Sequence, residues 1–574
     1  MKRFKIIATA VVFAFSAFAF ADEFDDFGGF DSFDEGASSE PAVTISGSAE
    51  IVGRVYTDQR DSNGECYDLQ DSITEGNASG RLNFDYSGAS SDISFKLKFD
   101  KFSLGDYKED ILDELTARAY LGNLQLEAGK MKVVWGKGDK VHVLDNFNAN
   151  DYTDFITPDY IDRRIAEPMF RLVYSTPSNI RFEGIWTPTM TVDRLADSGI
   201  WQPRASKTLT TLVEGIVKHN YGALIDSDSL SGSDMVNGLM ELSSFSSDNL
   251  VEDNIKTIKY GQAGARTTFT LGHFDLGLSY YYGHYKQPSP NLGAYIDSIK
   301  TSVLAYASTA QGQTAIATAY NSEITQFATY MGTNVYGAAA AAGAITYVSP
   351  VTGDTVDLTN PTAISVAAQK DALMKACSDH AQEIAYMSDQ QLALPSLNYN
   401  QLQVFGIEAA TVLWKFNIRG EAAYYLTEDT AGDNPWIQNN SIQWVAGFDI
   451  DMPWTNMNLN VQTQGKYILN SDKIKDGAYS TYDVDYNSDD KYISNKVIVD
   501  LTDSYDHENI KIDLKGIFEI ETKDFIINPS LTIKAVDDFS VTVSGMWINT
   551  ENENSEFFNF KNNSYAQISC KYLF

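Results

Sequence analysis

The amino-acid sequence predicts an all-β protein, a transmembrane antiparallel β-barrel of about 16–18 strands with long, partly helical extracellular loops. Three observations predict this class. Apolar residues alternate with polar ones in long runs, several polar positions carry full charges, and the connections are alternately very short and very long. A packed β-sandwich also shows alternation, but its core does not accept unpaired charges. A wall that borders water inside a barrel does accept them.

The alternating runs begin near residue 43 and continue to the end of the chain. Residues 81–86 read Arg-Leu-Asn-Phe-Asp-Tyr, and residues 93–100 repeat the pattern after a Gly/Ser link, which is typical of a β-hairpin. Strands are predicted to start near residues 43, 78, 92, 112, 124, 168, 178, 263, 275, 401, 416, 441, 457, 491, 508, 524, 539 and 564. This makes eighteen, or sixteen if the weak patterns near 112 and 491 are not strands.

The N-terminus has the pattern of a secretory signal peptide. Three cations precede the apolar run 6–20, and Ala19-Phe20-Ala21 offers a cleavage site after Ala21. A membrane anchor is the alternative, but the run is short for a span of about 20 residues. We expect residues 1–21 to be the signal peptide, 22–42 an acidic flexible periplasmic leader, and 43–574 the barrel. The leader has a Phe every three residues, so a short docking motif is its alternative interpretation.

Three excursions from the strand pattern are predicted to be large outer loops, at residues 139–167, 189–262 and 288–398. The last contains Ala-rich, helix-like stretches at 296–328 and 363–386, with a candidate hairpin at 345–358. We expect these helices to cap the outer mouth of the barrel.

The last strand places Ala566, Ile568, Cys570, Tyr572 and Phe574 on one face. This closely resembles the terminal strand of bacterial outer-membrane barrels, which ends in an aromatic residue after alternating apolar positions. The resemblance implies an outer-membrane location in contact with lipid. It also implies that Tyr572 and Phe574 form an assembly signal, with the barrel-assembly machinery and periplasmic chaperones as partners.

Composition excludes several other functions. A net charge of −34 argues against nucleic-acid binding. Three cysteines are too few for a disulfide framework, although a bridge between Cys66 and Cys377 is possible in an oxidising compartment. The six histidines are scattered and no Gly-x-Ser-x-Gly motif is present, so we expect no metal, no cofactor and no enzyme activity. His284, at the outer end of a strand, is the nearest candidate for a lipid-facing catalytic histidine.

The segment 129–139 reads Gly-Lys-Met-Lys-Val-Val-Trp-Gly-Lys-Gly-Asp and is followed at 145–151 by Asp-Asn-Phe-Asn-Ala-Asn-Asp. Across residues 110–190 the chain is similar to an uncharacterised family of outer-membrane proteins with a Trp-Gly…Asp…Asn…Asp loop motif. The sequence departs from that family at Asn148-Ala149, where Asn-Pro is usual. The resemblance implies an outer-membrane barrel with a transport role and names no substrate.

The loop after the fifth strand resembles in position the infolded third outer loop of general porins. Its mixed charges predict a pore constriction, because opposed charges filter polar solutes. The alternative is an acidic surface loop whose arginines pair locally. The residues of the predicted constriction are Asp145, Asp151, Asp154, Asp159, Asp162, Arg163 and Arg164.

The alternation also predicts which bases face the lumen. These are Arg81, Lys96, Lys98, Arg171, Arg181, Arg419, Lys511 and Lys515. Such a slightly basic lumen would favour anions. We therefore expect a porin-like channel for passive diffusion of small polar or amphiphilic solutes, with the oligomeric state left open. One alternative is a surface-exposed barrel scaffold whose helical loops bind a ligand or host surface. The other is a channel for hydrophobic, fatty-acid-type substrates.

Overall fold

The computed structural model describes residues 42–60, 66–67, 72–156, 158–225, 250–251 and 254–574. The predicted signal peptide and the leader up to residue 41 lie outside this part of the chain. The chain divides into two compact units. The barrel unit comprises the described residues within Met1–Arg204, Asp253–Ser289 and Tyr399–Phe574, and the helical unit comprises those within Ala205–Glu252 and Pro290–Asn398.

The barrel unit is one antiparallel sheet of 18 strands, which confirms the predicted fold class and the larger of the two strand counts. The strands are β1 (Ala42–Tyr56), β2 (Thr74–Ser87), β3 (Ser91–Phe99), β4 (Leu112–Leu121), β5 (Leu124–Met131), β6 (Glu167–Ser175), β7 (Arg181–Thr187), β8 (Gln262–Leu271), β9 (Phe274–His284), β10 (Gln401–Leu413), β11 (Phe416–Thr427), β12 (Ser441–Asp451), β13 (Asn458–Ile468), β14 (Ile493–Tyr505), β15 (Ile510–Glu519), β16 (Phe525–Val536), β17 (Phe539–Asn549) and β18 (Tyr565–Leu573).

Every strand pairs with its neighbour in the chain, and the last strand pairs with the first. Tyr56 lies opposite Tyr565, and the register continues to Ser48 opposite Leu573. Beyond the strand, the Gly47 N–H donates to the Phe574 carbonyl (2.7 Å) and the Phe574 N–H donates to the Gly47 carbonyl (3.0 Å). The sheet therefore closes, and no strand presents an unpaired edge.

The two ends of the barrel differ in the length of their connections. One end, the short-turn end, carries the connections 88–90, 122–123, 176–180, 272–273, 414–415, 452–457, 506–509 and 537–538. The opposite end, the long-loop end, carries 57–73, 100–111, 132–166, 188–261, 285–400, 428–440, 469–492, 520–524 and 550–564. This asymmetry is typical of barrels that cross a bacterial outer membrane.

Side chains alternate between the two faces of each strand. The outer face exposes large apolar residues, among them Trp186, Ile407 and Val543, which are about half exposed. The inner face carries charged and amide side chains, many of them buried by contacts inside the barrel. The barrel unit also contains the short helices Tyr160–Arg163 and Ser471–Asp476 and the 3-10 turns Lys108–Ile111, Ile258–Tyr260, Ser480–Tyr482 and Phe558–Phe560.

The helical unit confirms the helix-like stretches read from the sequence. Its helices are Gly293–Ala307, Ala310–Ala319, Asn321–Tyr330, the π-helical Met331–Gly337, Ala338–Ala341, Pro361–Asp379 and Ala381–Tyr386. The long helix Arg204–Ile225 precedes them, with Arg204 itself in the barrel unit. The hairpin expected at 345–358 forms from Thr346–Val348 and Thr355–Asp357. In the helical unit, fully buried Asp371 accepts a hydrogen bond from Ser349 (2.6 Å) and another from Tyr336.

All three cysteines are free thiols, so the bridge considered between Cys66 and Cys377 does not form in this structure. Cys570 belongs to the outward-facing set of β18. Within the part of the chain that the structure describes, no helix combines the length and apolar character needed to cross a membrane.

Candidate functional site: a loop folded into the barrel

The connection between β5 and β6, residues 132–166 and here called the inner loop, runs through the inside of the barrel. Its contacts come from strands all around the ring. Lys140 Nζ lies 2.8 Å from Asp500 on β14, and Trp135 Nε1 donates to Glu183 on β7 (3.1 Å). On the other side of the closure, Asp154 contacts β1. A segment can contact strands on several sides of a closed ring only from within it.

The first half of the inner loop is fixed by an apolar cluster on one wall. Trp135, Leu144 and Phe147 are at most 2% exposed, and they pack against β6, β7, β9, β10, β11 and β12. The ring centroids of Trp135 and Phe147 lie 4.9 Å apart in an edge-to-face arrangement. Gly264 on β8 makes room for these rings, because a Cβ atom there would lie 2.8 Å from both. Because these side chains are closely packed, the first half of the inner loop is held in a single position against this wall.

Asn148 joins the two ends of the inner loop. Its side-chain oxygen accepts from the Val133 N–H (2.8 Å), and its amide nitrogen donates to the carbonyls of Met131 (3.0 Å) and Ile165 (2.9 Å). One buried side chain therefore satisfies three backbone groups at the point where β5 and β6 separate. Ala149, where the resembling family usually has proline, is fully buried.

Glu421 on β11 holds the segment that carries the Trp-Gly motif. Its carboxylate accepts from the N–H groups of Gly138 (2.5 Å) and Val143 (2.8 Å), and His142 Nδ1 lies 2.9 Å from it. Gly136 has φ +116°, and a Cβ atom there would lie 2.2 Å from the Glu421 carboxylate. Glycine is thus required for the backbone to approach the carboxylate. The role of Glu421 in holding the loop was not predicted from the sequence.

The second half of the inner loop reaches the opposite wall through ion pairs. Arg54 on β1 binds both carboxylate oxygens of Asp154 (2.6 and 2.9 Å). Arg81 on β2 lies 2.8 Å from Asp162, and Lys515 on β15 lies 2.9 Å from Asp159. The Arg54 side chain is 6% exposed, whereas that of Arg81 is 41% exposed. The three tethers therefore differ in how strongly water and salt screen them.

Three further residues of the predicted constriction, Asp145, Arg163 and Arg164, have partners within the loop. Arg164 lies 2.7 Å from Asp145, which also accepts from the Tyr160 hydroxyl. Burial lowers the pKa of Arg164, but the Asp145 carboxylate together with Tyr160, Asp193 and Tyr152 outweighs burial, and the pKa is raised overall. Burial raises the pKa of Tyr160 well above its ordinary value. Arg163 stacks over the Tyr152 ring at 5.9 Å.

A second segment, residues 188–203, also lies inside the barrel, which the sequence did not predict. Its Arg194–Leu195 pairs in parallel with Asp151–Tyr152 of the inner loop. Arg194 lies 3.9 Å from Asp151 and also pairs with Asp110. Trp201 stacks on Phe155 at 5.3 Å and donates to the Tyr56 hydroxyl (2.9 Å). The lumen is thus narrowed by two segments rather than one.

A belt of alternating charge follows the inner wall from β4 to β10, toward the short-turn end. In strand order its members are Arg118, Glu127, Arg171, Glu183, Arg266 and Glu408. Consecutive members lie 2.5–3.9 Å apart. The three arginines of the belt thereby match its three carboxylates in formal charge.

Arg181 on β7 shares the inner face with Glu183 and makes no ion pair among the described residues. The part of the wall that carries the belt therefore has one guanidinium beyond the three that pair with the belt carboxylates. Of the other predicted lumen bases, Lys96 pairs with Glu114 (3.2 Å), Lys98 with Asp100 (3.0 Å) and Arg419 with Asp449. Lys511 has no ion pair in the described part of the chain. The structure supplies these contacts, while the filtering role of the residues stays a prediction.

The site offers charge, hydrogen bonding and shape. In the described ranges, no three His, Cys, Asp or Glu side chains lie close enough to hold a metal ion. His142 is engaged by Glu421, and His284 packs on the ring of Tyr260 (4.5 Å).

Comparison with known proteins adds solved structures of similar fold. The chain is similar to OccK3 (OpdO) of Pseudomonas aeruginosa, with 8% identity, a TM-score of 0.39, and 92% of this chain and 95% of that chain covered. It is also similar to OpdQ of the same organism, with 8% identity, a TM-score of 0.38, and 93% of this chain and 98% of that chain covered. A third similar structure is the outer membrane channel DcaP of Acinetobacter baumannii, with 8% identity, a TM-score of 0.35, and 96% of this chain and 100% of that chain covered. No protein-family profile and no curated protein matches the sequence. At these scores the likenesses carry no inference about function.

Proposed function

We propose that this protein is an outer-membrane channel for passive diffusion of small polar solutes, with a preference for anions inside the lumen. The observation that carries the proposal is the closed barrel with a charged inner wall and an inner loop that crosses it. The outward apolar face suits lipid, and the charged wall suits water. The charged belt does not suit a channel for fatty-acid-type substrates.

The anion preference rests on two cations of the inner wall that make no ion pair among the described residues. Arg181 is left over after the belt carboxylates are paired, and Lys511 is likewise without an ion pair in the described residues. A solute carboxylate or phosphate that displaces water near Arg181 can form a charge-assisted, bidentate contact without breaking an existing pair. The acidic loops oppose this preference at the long-loop mouth by slowing the entry of anions.

Delivery to the outer membrane is part of the same proposal. Its basis is the signal-peptide pattern of residues 1–21, with cleavage after Ala21, and the terminal strand ending in Tyr572 and Phe574. Barrel-assembly machinery and periplasmic chaperones are the expected partners.

Planar-bilayer recording tests the channel. The purified protein should conduct, and a KCl gradient should give a reversal potential of the sign expected for anion preference. Liposome swelling with neutral sugars of increasing size should measure the cut-off set by the inner loop. Strong cation selectivity would contradict the anion preference, and absence of conductance would contradict the channel itself.

A further inference from the structure

The outer face of the barrel carries an apolar groove of about 500 Å³ on strands β11–β14. Its floor consists of small residues in one row of the sheet, with Ala446 opposite Gly420 on one side and Thr463 on the other. Phe416 and Phe448 form its wall toward the short-turn end, with ring centroids 5.3 Å apart in an edge-to-face arrangement. The groove arises because a row of short side chains lies beside a row of long ones.

The only lysine or arginine in the eight turns of the short-turn end lies beside this groove. It is Lys415, which immediately precedes β11, whereas the other seven turns are neutral or acidic in formal charge. Lys415 makes no ion pair among the described residues, and its ammonium lies 6.0 Å from the Trp414 ring. In a chain with a net charge of −34, this placement gives a local complement for an anion.

Two exposed tryptophans mark the same edge of the barrel. Trp414 is 79% exposed and Trp454, in the turn that follows β12, is 73% exposed. Tryptophan is enriched where a bilayer changes from hydrocarbon to headgroups. This edge of the groove therefore lies at headgroup level when the barrel spans a membrane.

The depth of the groove matches an acyl chain that starts at that level. Ala446 lies five residues from Asp451, the end of β12, which corresponds to about 17 Å along the strand. With a strand tilt of about 40°, this is a depth of roughly 13 Å. Half of the hydrocarbon layer is about 15 Å thick, so one chain reaches the groove from its own leaflet.

We propose that the barrel binds one phospholipid of the leaflet at the short-turn end, with its phosphate at Lys415 and an acyl chain in the groove over Ala446. The proposal rests on the membrane-spanning barrel proposed above and does not depend on conduction. The apolar lining excludes a polar ligand from the groove, and the cation at its edge selects a lipid that carries a phosphate.

Native mass spectrometry of the full-length protein in detergent, titrated with dioleoylphosphatidylglycerol, tests the site. Ala446→Phe fills the groove, and Lys415→Gln removes the cation. Each substitution should raise the dissociation constant of the tightest lipid adduct on the order of tenfold. For the lysine, this corresponds to the loss of about one charge-assisted hydrogen bond. The matched controls are Ala117→Phe, an outward-facing alanine of β4 across the barrel, and Lys523→Gln at the long-loop end, which should bind lipid like the wild type.

Three results would overturn the proposal. One is equal retention by all variants, and another is equal loss in the controls. The third is that Ala446→Phe converts an oligomer to a monomer while lipid binding is unchanged. That result would identify the groove as an interface between copies of the chain. Conductance recorded on the same preparations separates this site from the channel. If Ala446→Phe and Lys415→Gln lose the lipid adduct but conduct normally, the lipid site is supported independently of the channel. If the wild type binds lipid but does not conduct, the channel is rejected and the lipid site stands.

Discussion

Arg54 on the first strand grips Asp154 of the inner loop through two hydrogen bonds, and the guanidinium also lies 4.3 Å from the ring centroid of Tyr565 on the last strand. This single side chain joins the inner loop to the seam at which the barrel closes. The Arg54 side of the contact is shielded from water, with the side chain 6% exposed, whereas the Asp154 side chain is 29% exposed.

Asp154→Ala should therefore release the tip of the inner loop and strongly reduce the stability of this region. Removing one partner of a buried ion pair typically costs about 3–5 kcal/mol. We expect the lower end of this range, because the Glu75 carboxylate, 3.6 Å from the Arg54 guanidinium, still compensates part of its charge. Hydrogen exchange of the peptide around residues 151–156 should speed up strongly. Asp162→Ala is the matched control, because its partner Arg81 is 41% exposed and the expected cost is about 0–1 kcal/mol. Similar effects for the two variants would contradict the assignment of Arg54 as the dominant tether.

Glu421→Ala should loosen the Trp-Gly segment. It leaves the N–H groups of Gly138 and Val143 without their acceptor, at a cost of about 1–3 kcal/mol for each group that stays dry. Glu421→Gln keeps one acceptor oxygen and should give an intermediate effect. Amide exchange over residues 136–145, together with single-channel noise, gives the measurement. If amide exchange is unchanged in both variants, the apolar cluster alone fixes the first half of the inner loop.

Arg181→Gln should reduce the preference of the channel for anions, whereas Arg181→Lys should largely retain it. The reason is that Arg181 carries charge that the belt carboxylates do not neutralise. The reversal potential in a KCl gradient is the readout, and Lys523→Gln, a charge loss at the long-loop end, is the control. If Arg181→Gln and the control shift the potential equally, the wall at Arg181 does not set selectivity.

The connection between β13 and β14 should respond to pH through Asp483. Burial, together with repulsion from Asp485 and Asp429, raises the pKa of Asp483 to about 6. A carboxyl whose pKa is raised by folding opposes folding once it ionises, so local stability should fall as pH rises from about 4 through 6. After correction for the intrinsic pH dependence of amide exchange, the protection factors over residues 478–490 should be higher at pH 5 than at pH 7.5, and Asp483→Asn should remove the difference. A pH dependence that persists in Asp483→Asn would assign it to another group.

Deletion of residues 290–398 should leave a conducting barrel. The chain on either side of the excursion is already joined, since Asn400 Nδ2 donates to Ser289 Oγ (3.0 Å) and the Tyr285 N–H donates to the Asn400 carbonyl (3.0 Å). A short Gly/Ser linker from Ser289 to Tyr399 should therefore close the gap. Conductance above the wild-type level would support gating by this region, and absence of conductance in both forms would favour a binding scaffold.

The strands were predictable because alternation is a local signal set by contact with lipid on one face and water on the other. The errors occur where the local signal is weak or misleading. β2 starts at Thr74 rather than near 78, because Thr-Glu-Gly-Asn lacks apolar residues although it pairs with β1. β7 starts at Arg181 rather than near 178, because Asn179 adopts φ +58° in the turn.

The candidate site was predictable only in part. Mixed charges in the loop were visible in the sequence, but their partners were not, since His142 and Glu421 are 279 positions apart. Arg54 was missed because its strand segment Val-Gly-Arg-Val alternates poorly. The inward course of residues 188–203 depends on Trp201 packing against Phe155 and Tyr56, a contact between three distant segments that no local pattern reports.

The distribution of inner-loop contacts also sets an order in time. The loop follows the fifth strand, yet its anchors lie on strands that come much later in the chain, Glu421 on β11, Asp500 on β14 and Lys515 on β15. Until those strands have joined the growing sheet, the carboxylates and cations that hold the loop are not in place. The lumen therefore acquires its final width only when assembly is almost complete, and a barrel arrested halfway would be open and wide.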